Sequence, residues 1–267
     1  MPAEGTKRSL PVLQREENGI AYVSAGWPLD PGKPTLLFIH GAGGSHVLWL
    51  GQIEGLAGLA NAVAIDLPGH GASKGEGMDS IEGYAKVVAE FTRGLGAPKP
   101  IPCGLSMGGA IAQQLLLDFP DVYCAGVLIG TGARLRVMPV ILKTIQENFS
   151  GYLESFLSFA TSPKTDPARL RLIAEAAAKA GPQVVLGDFR ACDAFDVVER
   201  LPSIRVPVLV ITSEDDRLTP PKYGIFLEEK IPRATRVHIR DAGHLCPAEK
   251  PEEVNRALLD FLARERL

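Results

Sequence analysis

Short, uninterrupted apolar runs alternate along the chain with segments whose apolar residues recur every three or four positions. A run of five to seven apolar residues without polar alternation is typical of a strand buried on both faces of a sheet. Such runs predict strands at Thr35–His40, Ala62–Asp66, Ile101–Leu105, Ala125–Thr131 and Val208–Thr212, and a further strand is predicted at Arg236–Ile239. Before them, Ile20–Ser24 follows a Glu-Asn-Gly turn, and Val12–Gln14 could be its hairpin partner.

Helical periodicity fills most of the intervals between these strands. Ile81–Gly94, Met107–Asp118, Pro221–Ile231 and the segment from Pro251 onward each carry one apolar stripe, as amphipathic helices do. Val47–Ala60 predicts a weaker helix, because three glycines lower its propensity. Strands that alternate with helices in this way predict a mostly parallel sheet covered on both faces, which is the α/β class.

One segment interrupts the alternation. Residues 133–205 contain no convincing strand and about four helices, of which the clearest has Asp166 as N-cap, Pro167 at its first position and Gly181 past its end. A helical insert between two sheet strands predicts a cap over the carboxyl ends of the strands, where open α/β sheets bind ligands. We therefore expect a core formed by 1–132 and 206–267, and a helical cap at 133–205.

Composition narrows the class of protein. Hydrophobic residues make up 46% of the chain and the formal net charge is −3, so a disordered chain is excluded and nucleic acid is not an expected partner. The four cysteines form no CxxC pair, and Met1–Arg8 lacks the apolar core of a signal peptide. No apolar stretch is long enough to span a bilayer. These features predict a soluble, cytoplasmic protein with reduced thiols and no membrane span.

The pentapeptide Gly104-Leu-Ser106-Met-Gly108 is the strongest chemical signal in the sequence. It lies between a predicted strand and a predicted helix, the context that a G-x-S-x-G nucleophile requires. The serine must sit on a strained turn, and glycines leave room for that turn. Ser106 is therefore the candidate nucleophile.

A serine nucleophile needs a base and an acid that orients the base. Of the five histidines, His244 follows the last strand and is the candidate base. His40 is expected to hold a loop, His46 and His70 to be solvated, and His238 to be half-buried in a strand.

The acid is expected directly after the strand Val208–Thr212, where three carboxylates lie in sequence. Asp216 is preferred over Asp215 and Glu214, and the other two would be solvated charges with Arg217 as a possible partner. Along the chain the order is then nucleophile, acid, base, which is the order found with G-x-S-x-G nucleophiles.

The tetrahedral intermediate of acyl transfer needs preorganised N–H donors for its oxyanion. We expect one from the backbone of Met107, which follows the nucleophile. The second should come from the glycine-rich loop after the strand Thr35–His40, where Ala42 is the first candidate and Gly43 the next.

These motifs resemble those of the α/β-hydrolase fold superfamily, in its capped esterase, lactonase and carbon–carbon hydrolase branch. The resemblance implies a Ser-His-Asp hydrolase without a cofactor or metal. In this family the catalytic acid lies four residues before a proline, which again selects Asp216. Branches with an aspartate nucleophile are disfavoured by Ser106. Pro102 departs from the usual apolar strand and is expected to shorten or bend it. The motifs are His40-Gly-Ala-Gly-Gly, Asp66-Leu-Pro-Gly-His-Gly-Ala-Ser73, Gly104-Leu-Ser-Met-Gly-Gly109, Asp216-Arg-Leu-Thr-Pro220 and Ala242-Gly-His244.

The sequence thus predicts a serine carboxylesterase acting on a small-molecule ester. A lactonase or carbon–carbon bond hydrolase of aromatic catabolism is the alternative, and a poorly catalytic ligand-binding member of the fold is a third. Arg134 and Arg136 could recognise a carboxylate on the substrate, although solvated charges are the simpler interpretation. Cap side chains that could form an acyl or alcohol pocket are Met138, Ile141, Ile145, Phe149, Phe156 and Phe159.

Overall fold

The computed structural model describes residues 12–267 apart from the side chain at position 169, so the polar segment Met1–Arg8 lies outside the described residues. One eight-stranded sheet forms the centre of the molecule. Its strands are β1 (Val12–Glu17), β2 (Ile20–Ala25), β3 (Thr35–Ile39), β4 (Asn61–Ile65), β5 (Pro100–Leu105), β6 (Gly126–Ile129), β7 (Val208–Ser213) and β8 (Ala234–Ile239).

The spatial order of the strands is β1-β2-β4-β3-β5-β6-β7-β8. Strands β3 to β8 are parallel, whereas β2 pairs antiparallel with both β1 and β4. The carboxyl ends of the parallel strands therefore meet at one edge, which is where β5 delivers Ser106 and β7 delivers Asp216. The α/β-hydrolase fold expected from the sequence is confirmed.

Alternate residues of the central strands point to opposite faces and so build two cores. Leu37 and Ile39 of β3 pack into the core on one face, and Leu36 and Phe38 pack into the core on the other. Helices cover both faces. They are α1 (Leu50–Gly55), α2 (Ile81–Leu95), α3 (Met107–Asp118), α4 (Pro139–Glu147), α5 (Phe149–Ala160), α6 (Arg171–Ala194), α7 (Pro221–Lys230), α8 (Cys246–Glu249) and α9 (Pro251–Glu265).

Two predicted helix boundaries were wrong. The helix expected over Val47–Ala60 is a 3₁₀ turn at His46–Trp49 followed by α1, which ends at Gly55. Helix α2 continues past Gly94 to Leu95, and Gly96 caps it in the left-handed conformation with φ 59°. Gly58, three residues beyond the end of α1, has a positive φ of 77°, which is incompatible with a helix through this position.

The helical insertion between β6 and β7 consists of α4, α5 and α6 with short 3₁₀ turns. Asp166 caps a 3₁₀ turn at Pro167–Leu170 by accepting the Ala168 N–H, and α6 follows directly. Gly181 interrupts α6 with φ 80° and ψ 166°, and Pro182 starts its second half. The second half lies against the loop that follows β3, with Val185 next to Gly43.

Pro102 does not shorten its strand, so the first of the two effects expected of it is absent. Strand β5 spans six residues and pairs with β3 along Pro100–Gly104. Its pairing with β6 begins only at Cys103, the residue after Pro102. Proline removes a ladder donor, and β5 pairs with β6 only after this residue.

Other properties of the described chain bear on its chemistry. All four cysteines are free, and Cys103 is fully buried, which raises the pKa of its thiol well above the ordinary value. Over residues 12–267, no helix is both long enough and apolar enough to cross a membrane. The same residues contain no group of three or more His, Cys, Asp or Glu side chains that could hold a metal ion.

Candidate active site

Ser106 occupies a strained turn between β5 and α3. Its φ of 56° and ψ of −117° lie where a side chain is rarely tolerated, and the Ile129 carbonyl accepts its N–H at 3.0 Å. The flanking glycines make the turn possible. A Cβ at Gly104 would lie 2.0 Å from the Gly108 oxygen, and a Cβ at Gly108 would lie 2.2 Å from the Ile39 oxygen.

Asp216 and His244 form a buried pair at the same edge of the sheet. His244 Nδ1 lies 2.9 Å from Asp216 Oδ2, and both side chains are almost fully buried. The same carboxylate accepts the N–H groups of Leu218 and Thr219, each at 2.9 Å. Gly130 leaves space for the pair, because a Cβ there would approach Asp216 Oδ2 to 3.2 Å and His244 Nδ1 to 3.3 Å.

Thr219 is a member of this site that the sequence analysis missed. Its hydroxyl donates to Asp216 Oδ2 at 2.8 Å and lies 3.1 Å from His244 Nδ1. Its position one residue before Pro220, within the loop that carries the acid, is the signal that could have identified it.

The environment of Asp216 favours its ionised form. Burial alone would raise the pKa of the carboxyl group, but the His244 ring and the hydrogen bonds from His244 and Thr219 outweigh burial. The pKa of Asp216 is therefore held below its ordinary value.

The competing carboxylates are engaged elsewhere. Asp215 Oδ2 accepts the Ser162 hydroxyl at 2.6 Å, and Glu214 accepts the Asp241 N–H at 3.1 Å. Arg217 pairs with neither. It donates to the carbonyls of the cap residues Ser158 and Thr161, so the partnership expected from the sequence was wrong.

His40 holds the loop that follows β3, as expected. Its Nε2 accepts the Leu67 N–H at 3.0 Å, which leaves Nδ1 to donate to the Gly41 carbonyl at 2.8 Å. This pattern fixes a neutral ring with the proton on Nδ1. Burial, and next the charge of His70, lower the pKa of His40 to about 4.

In the loop that follows β3, some backbone N–H groups already have a hydrogen-bond acceptor and others do not. Gly43 N–H donates to the Asp188 carboxylate at 2.8 Å, and Gly44 N–H donates to the Gly41 carbonyl at 3.0 Å. Over the described part of the chain, the N–H groups of Ala42 and Met107 have no hydrogen-bond acceptor. The geometry therefore favours Ala42 over Gly43 as the loop donor.

A pocket of about 1010 Å³, including its open mouth, extends from Ser106 and His244 towards the cap. Of the six apolar cap residues that the sequence suggested, only Ile141 and Phe156 line it. Ile145 is fully buried among cap helices, whereas Met138 and Phe159 are exposed. The pocket also meets Ala42, Leu48, Leu135, Val137, Ile173, Ala177, Phe189, Leu218, Tyr223 and Leu245.

Arg134 and Arg136 line the mouth of this pocket and are already engaged. Arg134 Nε lies 2.6 Å from Asp196 Oδ2, and Arg136 donates to the Asp193 carbonyl at 2.6 Å. Both side chains are more than half exposed. Their ion pairing to Asp196 supports the simpler interpretation of partly neutralised surface charges.

Three other histidines differ from expectation. His70 is 1% exposed and bonds to Asp188, so it is not solvated. His46 bonds to Asp66. His238 is exposed rather than half-buried and contacts the Thr212 hydroxyl.

Asp188 and Tyr84 belong to a buried polar cluster that the sequence analysis missed. Asp188 shares one face of α6 with Val184, Val185 and Cys192, at helical spacings of three and four residues. A carboxylate on an otherwise apolar stripe is the signal that could have identified it.

The chain belongs to the alpha/beta hydrolase family, whose conserved pattern matches residues 36–257. Among curated relatives, it is 25% identical to a pimeloyl-[acyl-carrier protein] methyl ester esterase of Nitrosomonas europaea. That alignment covers 82% of this chain and 92% of the relative. It is 32% identical to a Mycobacterium tuberculosis protein provisionally named non-heme bromoperoxidase BpoC, over 87% of this chain and 94% of that protein.

A solved structure gives a similar result. A thermophilic esterase superimposes with a TM-score of 0.80 at 31% sequence identity, covering 96% of this chain and 98% of the esterase. The chain is therefore a hydrolase-fold protein similar to esterases along nearly its whole described length.

Proposed function

We propose that this protein is a serine carboxylesterase that cleaves small to medium carboxylic esters through an acyl-enzyme. The observation that carries the proposal is the buried Asp216–His244 pair, which shares one pocket with Ser106 on its strained turn. Similarity to esterases supports the same reaction class. In this proposal the core and cap keep the boundaries expected from the sequence, with the cap at 133–205.

The hydrogen bond between Asp216 and Nδ1 of His244 assigns the ring nitrogens their roles. Because Nδ1 is bonded to the carboxylate, Nε2 is the nitrogen that can accept a proton. In the acylation step, Ser106 Oγ attacks the ester carbonyl while Nε2 takes the hydroxyl proton. Asp216 stabilises the imidazolium that forms and keeps the ring oriented.

The free N–H groups of Ala42 and Met107 supply the electrostatic stabilisation. They donate to the oxyanion of the tetrahedral intermediate, aided by the N-terminal end of α3. Collapse of the intermediate breaks the carbon–oxygen bond to the alcohol, which takes the proton from His244.

A water molecule completes the reaction. It attacks the acyl-enzyme as His244 accepts its proton, and the returning proton restores Ser106 as the carboxylic acid leaves. No group outside this chain and water is needed for the steps to balance.

The proposal is tested by hydrolysis of p-nitrophenyl esters from acetyl to dodecanoyl. We expect wild-type turnover that falls about 10⁴-fold or more in Ser106→Ala. Ser158→Ala is the matched control, since Ser158 is an exposed cap serine bonded to the Ser155 carbonyl. A fluorophosphonate probe should add its mass to the peptide containing Ser106.

Equal rates in wild type and Ser106→Ala would contradict the serine mechanism. A wild type that ignores every ester in the series but opens lactones, or cleaves a carbon–carbon bond next to a ketone, would move the proposal to the alternative hydrolase class. Labelling of Ser106 without turnover of any of these substrates would favour a ligand-binding role.

A further inference from the structure

Three donors from three separate segments converge on the carboxylate of Asp188, on the second half of α6. Gly43 N–H and His70 Nε2 each lie 2.8 Å from Oδ2, and the Tyr84 hydroxyl donates to Oδ1 at 2.6 Å. Asp188 is fully buried. Both of its oxygens accept hydrogen bonds, as the oxygens of an ionised carboxylate do.

The partners of His70 show that its ring carries a positive charge. Its Nδ1 faces the Pro68 carbonyl at 3.0 Å and its Nε2 faces the Asp188 carboxylate, and both partners are acceptors. Two acceptors require two ring protons. Burial would lower the pKa of His70, but the hydrogen bond and charge of Asp188 outweigh it and raise that pKa. A buried ion pair therefore lies directly beneath the loop that follows β3.

Helix α6 also packs against this loop. A Cβ placed on Gly43 would lie 3.0 Å from Val185 Cγ2, so α6 lies directly against the loop backbone at that point. Gly43 has φ 66°, a conformation that the bond to Asp188 holds in place. The Gly43 N–H is part of the Ala42–Gly43 peptide, so its bond to Asp188 fixes the peptide that directly follows Ala42. The N–H of Ala42 itself has no acceptor in the described chain. The orientation of Ala42 is therefore coupled to the Gly43–Asp188 bond.

We propose that Asp188 is a positioning residue for catalysis: by accepting the Gly43 N–H it removes that group from the oxyanion site and orients the Ala42 N–H towards it. This inference rests on the proposed esterase function. Through Asp188, the cap helix α6 sets the geometry of the oxyanion donors rather than only covering the pocket.

The variants separate the hydrogen bond to Gly43 from the buried charge. Asp188→Ala removes the acceptor, and we expect kcat to fall about 30- to 100-fold while KM changes less than about threefold, as loss of an oxyanion donor does. Asp188→Asn removes the charge, but its amide oxygen can still accept the Gly43 N–H. We expect Asp188→Asn to be less stable than wild type and yet to restore kcat to within about fivefold of wild type.

Tyr84→Phe is the matched control for a purely structural effect. It removes a buried hydrogen bond to the other carboxylate oxygen and leaves the Gly43 bond intact. We expect a lower unfolding temperature with kcat within about threefold of wild type. All activities are measured well below each variant's unfolding temperature.

A second measurement uses the wild type and needs no variant to fold. An alkylboronic acid forms a tetrahedral adduct with a nucleophilic serine, and its oxygen occupies the oxyanion site. In ¹H–¹⁵N spectra we expect the amide protons of Ala42 and Met107 to shift downfield when the adduct forms. Their change in chemical shift should be about three times that of the Gly43 amide proton, because Gly43 is already bonded to a carboxylate.

Several outcomes would overturn the inference. One is an equal loss of kcat in Asp188→Ala and Tyr84→Phe, or in Asp188→Ala and Asp188→Asn. Another is a wild-type kcat in folded Asp188→Ala. The last is a Gly43 amide proton that shifts on adduct formation as much as that of Ala42. A wild type without ester turnover would overturn the proposed function, and this inference with it. Ester turnover that is lost in Ser106→Ala but unaffected in Asp188→Ala would overturn this inference alone.

Discussion

His244 donates its Nδ1 proton to Asp216 Oδ2 across 2.9 Å, and both side chains are withdrawn from water. Thr219 donates its hydroxyl to the same oxygen at 2.8 Å, so the carboxylate is held from two sides. A ring fixed in this way presents Nε2 as its basic nitrogen. The bond to Asp216 therefore selects the His244 tautomer that the proposed mechanism uses, with the proton on Nδ1 and Nε2 free to accept one.

Replacing Asp216 by Asn should remove the preference of His244 for the tautomer with its proton on Nδ1. The amide can present its N–H₂ to His244, which stabilises the wrong tautomer, and we expect kcat to fall about 10³- to 10⁴-fold. Asp215→Asn is the matched control and should keep kcat within about threefold, because Asp215 bonds to Ser162 instead. The measurement is the steady-state kcat of both variants and of wild type with one p-nitrophenyl ester. A larger loss in Asp215→Asn would assign the acid to Asp215.

The cap side chains that line the pocket should set the acyl-chain preference. Phe156→Ala removes an aromatic ring from the pocket wall, and we expect the optimum of the ester series to shift to longer chains. Each additional buried methylene should raise kcat/KM by about fourfold until the pocket is full. Phe159→Ala is the control, since Phe159 is exposed and stacks on Arg217. An unchanged optimum in Phe156→Ala would place the acyl chain elsewhere.

The apolar patterns of consecutive residues were enough to predict the strands and the helix that position Ser106, Asp216 and His244. The strand before Ser106 and the helix after it are specified by consecutive residues, and helix α3 spans Met107–Asp118 as predicted. Asp216 and His244 follow strands whose carboxyl ends must share one edge of a parallel sheet. Short-range pattern and sheet topology were sufficient for these positions.

The cluster around Asp188 could not be predicted in the same way. Asp188 lies 118 residues from His70 and 145 from Gly43, and their bonds depend on how the cap helix lies against the core. In the sequence His70 is one of several loop histidines, and nothing in its local pattern distinguishes it from a solvated one. Helix α1 was overextended for a related reason. The helix ends at Gly55, and Gly58 beyond it has a positive φ, which the apolar period alone does not encode.

Gly108 should tolerate no side chain. A Cβ at this position would lie 2.2 Å from the Ile39 carbonyl oxygen, and backbone atoms of a central strand cannot move aside cheaply. We expect Gly108→Ala to lower the free energy of unfolding by about 3 kcal/mol, the upper part of the usual range for overpacking, and to reduce kcat by distorting the Ser106 turn.

The matched control for Gly108 is Gly32→Ala. There a Cβ would meet only the exposed Asp30 carboxylate at 3.3 Å, a side chain that can rotate away. Urea unfolding at pH 7 compares the two variants with wild type. A Gly108→Ala protein as stable as Gly32→Ala would show that the turn has more room than its glycines indicate.

The neutral, buried ring of His40 should make stability depend on pH. Burial, and next the charge of His70, hold the folded-state pKa at about 4, whereas an exposed histidine has a pKa near 6.5. As pH falls below 6.5 the unfolded chain binds a proton that the folded chain does not, so stability decreases until pH reaches about 4. Between pH 7 and pH 5 this linkage removes about 2 kcal/mol.

His40→Gln isolates this contribution. A glutamine can accept the Leu67 N–H without titrating, so its free energy of unfolding should fall about 2 kcal/mol less than that of wild type between pH 7 and pH 5. His70, whose raised pKa gives the opposite pH dependence, is present in both proteins and cancels in the comparison. Urea titrations at the two pH values give the four free energies required. Parallel losses in the two proteins would show that His40 takes up its proton as readily in the folded state as in the unfolded chain.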